Sequence, residues 1–166
     1  MKFAPLTIDE RAATGMTHRL DFDVTDIPAG IATNTAYTFN TAPLPILKAG
    51  MVVKRIHFYL TTPFKDSTDV NYNSTTINLG EAGSATRWMS GIQINENGTE
   101  VITTFPGATE NTIYTGNSQI ALTLGSMAAK GLSSLNTGKF YVLFSITNGA
   151  DPSYRQAPPF SGGGYT

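Results

Sequence analysis

Cysteine is absent from the 166 residues, which removes disulfides, thiolate chemistry and most structural zinc sites together. Charge is scarce. Asp, Glu, Lys and Arg make up 14% of the chain and cancel to a net −1, where an ordinary domain carries about a quarter. No basic excess points to nucleic acid and no acidic tail to a basic partner. Long apolar runs are missing too: nothing approaches the ~18 residues that a membrane helix requires. Lys2 is not followed by the apolar core of a signal peptide. The chain is therefore expected to be made in a cytoplasm, with neither nucleic acid nor membrane as a partner. A surface of Gly, Thr, Asn and Ser with little charge suits a subunit that lives against other protein better than a free monomer.

What is present is a series of short alternating segments. In Met51–Leu60, MVVKRIHFYL, Ile56, Phe58 and Leu60 fall on one face of an extended chain and Arg55, His57 and Tyr59 on the other. That period of two predicts a strand with one buried face. Val52 extends the buried set with Lys54 as an interruption, Thr61-Thr-Pro63 ends the strand, and the strand is expected at the centre of a sheet. His18–Ile27 alternates in the same way through Leu20, Phe22 and Val24. Further strands are expected at 35–40, with Tyr37 and Phe39 on one side, and at 75–79, 88–94, 100–105, 112–115, 119–124 and 139–147. Asn95-Glu-Asn-Gly98 carries an Asn-Gly hairpin signal, with 100–105 as the returning strand. In the last strand Phe140, Val142, Phe144 and Ile146 face one way, and Leu143 on the opposite side implies that the second face is also partly covered. One helical turn or two is expected within 126–135.

Eight or nine short alternating strands with turn chemistry between them predict an all-β fold: one antiparallel β-sandwich, jelly-roll-like, over residues 17–147. Residues 1–16 read as an N-terminal arm, with Pro5 blocking a regular ladder and a possible helical turn at Ile8–Ala13. Residues 148–166 read as a C-terminal arm, in which Pro152, Pro158 and Pro159 favour an extended path.

Chemistry is hard to place on this chain. Asp66, Asp69, Asn71 and Asn73 offer oxygens for Ca²⁺, but the central Gly and closing Glu of an EF-hand are missing; a solvated loop is the simpler reading. Gly80-Glu-Ala-Gly83-Ser-Ala-Thr86 lacks the Lys and helix of a phosphate cradle and reads as a tight turn. His18 and His57 stand in no metal-ligand spacing, and no Gly-x-Ser-x-Gly elbow supports a serine triad. Trp88, the single tryptophan, reads as core or interface. No catalytic residue, metal ligand or cofactor is assigned.

Four features in order carry a resemblance. They are Leu44-Pro-Ile-Leu-Lys-Ala-Gly50 leading into MVVKRIHFYL, Phe64-Lys-Asp-Ser67, the Asn78-Leu-Gly80 turn, and the Gly-initiated last strand Gly138-Lys-Phe-Tyr-Val142. Over roughly residues 35–147 the chain resembles the small β-sandwich decoration (cement) and head-fibre proteins of tailed bacteriophages. The resemblance implies a non-enzymatic virion subunit, often trimeric, that binds the major capsid protein on the head surface and clamps adjacent capsomers. The arms lie outside the resemblance and are where the gripping contacts are expected, with Phe3, Leu6, Tyr154, Pro158, Pro159, Phe160 and Tyr165 as anchors. The alternative is a carbohydrate- or receptor-binding jelly-roll module of a virion tail or fibre, which exposed aromatic platforms and a Ca²⁺ loop would favour.

Overall fold

The computed structural model describes residues 1–31, 36–39, 46–66, 75–95, 100–104, 114–125 and 131–148. They form β1 (Lys2–Pro5), α1 (Ile8–Thr14), β2 (His18–Asp23), β3 (Tyr37–Phe39), β4 (Ile46–Leu47), β5 (Met51–Lys65), β6 (Thr76–Glu81), β7 (Ser84–Gln93), β8 (Glu100–Thr104), β9 (Ser118–Gly125) and β10 (Thr137–Asn148). One sheet runs β1-β2-β10-β5-β8 and the other β3-β9-β6-β7, with β4 also on β9. Every pairing is antiparallel. The expected all-β sandwich is the observed fold.

The core follows from the alternation. Leu20, Phe22, Ile56, Phe58, Phe140, Val142 and Phe144 line the inner face of the first sheet, and Phe39, Ile77, Leu79, Ile120, Leu122 and Leu124 meet them from the second. Each such burial contributes roughly 2 kcal/mol as an upper figure. Phe22 stacks on Phe140 at 4.9 Å within its sheet. Its edge meets Phe39 of the opposite sheet at 5.0 Å, so one ring ties the two layers. Trp88 is buried and sits edge-on to Phe144.

Four details depart from the alternation as read. First, β10, not β5, is the middle strand of its sheet. Second, the register of β5 on β10 slips between Arg55 and Val53. The unpaired Lys54 is a bulge that exchanges the faces, so Val53 and not Val52 joins the main core. Third, β5 runs on through Pro63 to Lys65. Its pairing with β8 ends at Tyr59, and among the described residues no second ladder beyond it needs the amide hydrogen that proline lacks. Fourth, β8 does not return along β7 but pairs with β5. The crossing is made at the buried Ile94, whose N–H reaches the Thr75 carbonyl while its own carbonyl accepts from Phe64 N–H. The Asn-Gly turn itself, residues 126–130 of the expected helix, and 112–113 lie outside the described residues.

The first sixteen residues are not a free arm. Lys2–Pro5 add an edge strand to β2 in the register Lys2↔Asp21 to Pro5↔His18, and an edge is where proline is tolerated. α1 follows. Thr7 and Glu10 form a reciprocal capping box and Gly15 closes the other end in the left-handed conformation, which is the local chemistry that starts and stops a short helix. Leu6 and Met16, flanking α1, are buried against Leu143 on the outer face of the first sheet. The covering of that second face of β10, expected from Leu143, is thus supplied by the N-terminal segment.

His18 lies at the start of β2 with its ring stacked on Phe3 at 5.1 Å. Burial first, and the Arg11 cation second, hold its imidazole below its ordinary value. The folded state then binds its proton less readily than the unfolded chain, so stability falls as pH drops below the ordinary histidine value of about 6.5. Urea midpoints of the wild type should decline through that window. His18→Phe, which keeps the stack and has no proton to bind, should flatten the decline.

Candidate functional site

Among the described residues no group of three or more His, Asp or Glu side chains converges in a way that could hold a metal ion. Two clusters of polar groups remain to be weighed.

The larger lies on the outer face of the first sheet. The ladder sets Tyr59 of β5 opposite Tyr141 of β10, and His57 opposite Leu143. Arg19 of β2 lies opposite Leu143 and Asp21 opposite Tyr141. The Arg19 guanidinium lies 4.2 Å over the Tyr141 ring. Tyr141 stacks on Tyr59 at 4.7 Å, and Tyr59 meets His57 at 3.9 Å between ring centres. The Tyr59 hydroxyl and His57 Nδ1 are 2.8 Å apart. Arg19 is clamped in turn by Asp21, with Nε and Nη2 donating to the carboxylate at 2.7–3.1 Å. Tyr141 is thus in contact with a cation and a stacked ring, and Tyr59 with a stacked ring and a tilted imidazole. A sugar stacks on an open ring face, whereas these rings are engaged with one another and with Arg19 and His57. Next along the same face of β5 is Arg55, whose buried Nε has no hydrogen-bond partner among the described residues.

The second cluster is inside. β6 places Glu81 opposite Ile120 of β9, on the core side, with only 6% of its surface exposed. Arg87 of β7 reaches it from the surface, Nε to Oε1 at 2.6 Å. The buried Tyr114 hydroxyl is pushed well above its ordinary range by burial and by the same carboxylate. One acid, one half-exposed base and a phenol that keeps its proton tie two strands to the segment at Tyr114. Among the described residues this group holds one acid, Glu81, and it reads as structural.

No known protein family matches the chain, and no curated protein matches it. Among solved structures it is similar to a chain titled "Cyanophage Pam1 capsid asymmetric unit". The TM-score is 0.46 and the identity 22%, over 77% of this chain and 79% of that one.

The residues expected to grip a partner are placed unevenly. Leu6 is buried within the fold, under Leu143, and so serves this chain's own packing. Phe3 is half-buried between His18 and Phe144. Tyr154, Pro158, Pro159, Phe160 and Tyr165 lie outside the described residues, as do Asp69, Asn71 and Asn73 of the oxygen-rich loop. Gly80–Thr86 is the tight β6–β7 connection. The outer row was half legible in advance, since Arg55, His57 and Tyr59 form the polar face of one strand. Arg19, Asp21 and Tyr141 join it only through the strand order. Glu81 gave no signal, because an acid ending an alternating segment reads as a turn residue.

Proposed function

We propose that the chain is a non-enzymatic structural subunit of a bacteriophage virion, a decoration or cement protein that binds the major capsid protein on the assembled head. The observation that carries the reading is how tightly the resemblance residues are packed. Phe64, which opens Phe64–Ser67, is fully buried against Gly138, which opens the last-strand feature. A β-carbon at Gly138 would lie 2.4–2.6 Å from atoms of that ring. Asn78 of the Asn-Leu-Gly turn accepts from the Gly91 N–H at 2.7 Å, fixing the bulge in β7. Gly80, two residues on, has no room for a side chain against the backbone of Ser84 and Ala85. Three of the four resemblance features are thus packing points of one sandwich, which supports reading them as marks of a common scaffold. In this reading β2-β10-β5-β8 facing β3/β4-β9-β6-β7 is an eight-stranded jelly roll with β1 added at one edge.

The mechanism is linkage. A subunit that binds the assembled lattice and not the free capsid protein stabilises the shell by mass action, and several copies on one symmetric site hold it by avidity. The grip is assigned to the C-terminal segment, whose Tyr154, Pro158, Pro159, Phe160 and Tyr165 supply aromatic and proline anchors. The test is co-sedimentation with purified shells lacking decoration. The full chain should bind expanded shells and raise their melting temperature. A chain ending before residue 150 should keep its own unfolding midpoint and bind the shells weakly. A truncated chain that decorates normally refutes the gripping role. Failure of the full chain to bind any shell, together with specific glycan binding, would transfer it to the carbohydrate class.

A further inference from the structure

α1 is an unusual helix for a small sandwich. None of its seven residues is buried, and a helix this short is not stable on propensity alone. It is held by its caps, by Arg11 Nε donating to the Leu6 carbonyl at 2.9 Å, and by the two buried residues that flank it, Leu6 and Met16. The result is a rigid projection beside the outer face of the first sheet. It displays Ile8, which at 83% exposure is the one exposed large hydrophobic among the described residues. Ala12, one turn on, lies on the same face of the helix, and Asp9 is beside Ile8.

The same face of the sheet holds the complement. Lys54 is pushed outward by the β5 bulge, and Arg55 follows it with a guanidinium nitrogen that lacks a partner. Asp9, Lys54 and Arg55 make no ion pair with any described residue. Among the described residues, one copy therefore carries an apolar residue and an acid without an ion pair on a projection, and on a strand the exposed Lys54 and the half-buried Arg55, likewise without ion pairs. We propose that α1 is a self-association element, in which Ile8 and Asp9 of one copy dock against Lys54 and Arg55 of a second copy. The two patches differ, so the contact is head-to-tail, and it closes into a ring when the rotation permits. Only the expectation of a closed ring rests on the virion reading above; the pairing of patches does not.

Sedimentation velocity of the full chain over a wide concentration range tests this. The wild type should associate, less so at high salt. Ile8→Glu should weaken association by about tenfold or more without moving the unfolding midpoint, since the residue is exposed; Asp9→Arg should weaken it likewise, with a small fall in the midpoint because a cation then stands in the first turn of α1. Arg55→Glu should weaken it likewise, and Asp9→Arg combined with Arg55→Glu should restore it. Should Arg55→Glu fail to fold, Lys54→Glu, at an exposed position, takes its place in the exchange. A monomeric wild type, an oligomer indifferent to Ile8→Glu, or a charge exchange that restores nothing overturns the contact. A monomer that loses shell binding through Ile8→Glu would assign α1 to the shell and overturn it too. An oligomer that passes the exchange but binds no shell would leave this contact standing and remove the virion reading.

Discussion

Gly138→Ala is expected to cost about 3 kcal/mol of folding stability, a fall of about 6–12 °C in the thermal midpoint for a chain of this length. The added methyl would sit 2.4 Å from Phe64 Cδ1 and 2.5 Å from Cγ, inside any van der Waals contact. Phe64 has nowhere to go. It is fully buried, with Phe22 at 6.1 Å and Phe140 at 5.8 Å between ring centres, and its backbone N–H is engaged by Ile94. The backbone at Gly138 also has φ of 152°, a region that side-chain-bearing residues rarely occupy. Relief should come from the other partner. Phe64→Leu alone opens a cavity and destabilises by about 1–2 kcal/mol. In the Gly138→Ala background it should cost much less or become favourable, giving a clear coupling in a double-mutant cycle. Additive effects in urea denaturation would show that the ring and the glycine are not in contact.

Arg87→Met is the second large effect, expected at about 2–3 kcal/mol. Removing one member of a buried pair leaves an uncompensated charge, at about 3–5 kcal/mol where both are buried. Here the guanidinium side is 38% exposed, so water replaces part of the lost interaction. Methionine keeps most of the apolar stem, so the loss reports charge more than packing. Glu81 carries the penalty, since its Oε2 is already buried without a hydrogen-bond partner among the described residues. Glu81→Gln should therefore be costly in the wild type and should rescue Arg87→Met, since the neutral amide has no charge to leave unpaired. Thermal midpoints of the two single variants and the double variant decide it. If the double variant is as unstable as the sum of the singles, Arg87 acts through contacts other than Glu81.

The alternation along Ile56–Leu60 and Phe140–Ile146 was legible in the chain because β side chains alternate with a fixed period of two, and no tertiary information is needed to count by two. The bulge at Lys54 was not. It moves one side chain across the sheet and is defined by the partner strand's register. Pro5 and Pro63 were read as breakers because proline lacks a donor. Both are tolerated because one lies in an edge strand and the other beyond the pairing with β8, and edge position is a property of the sheet. The destination of the strand at 100–104 went the same way. An Asn-Gly turn favours a hairpin locally, yet β8 pairs with β5, and the buried Ile94 carries the chain across. For the candidate surface, the polar side of β5 was visible in Arg55, His57 and Tyr59. Its continuation through Tyr141, Arg19 and Asp21 required knowing that β10 and β2 lie alongside.

By itself the sequence determined the class of the molecule: a cysteine-free, weakly charged, all-β chain whose alternating segments each bury one face. Those are properties of composition and of a two-residue period, and they survive any arrangement of the strands. The tertiary structure alone decided which segments are neighbours. It turned the N-terminal sixteen residues from a loose end into an edge strand and a capped helix, put Glu81 in the core opposite Ile120, and aligned four side chains from three strands into one stacked row. Such relations join residues up to more than a hundred positions apart, such as Thr17 and Phe144. They are set by which apolar faces can be closed together, and no local pattern encodes that.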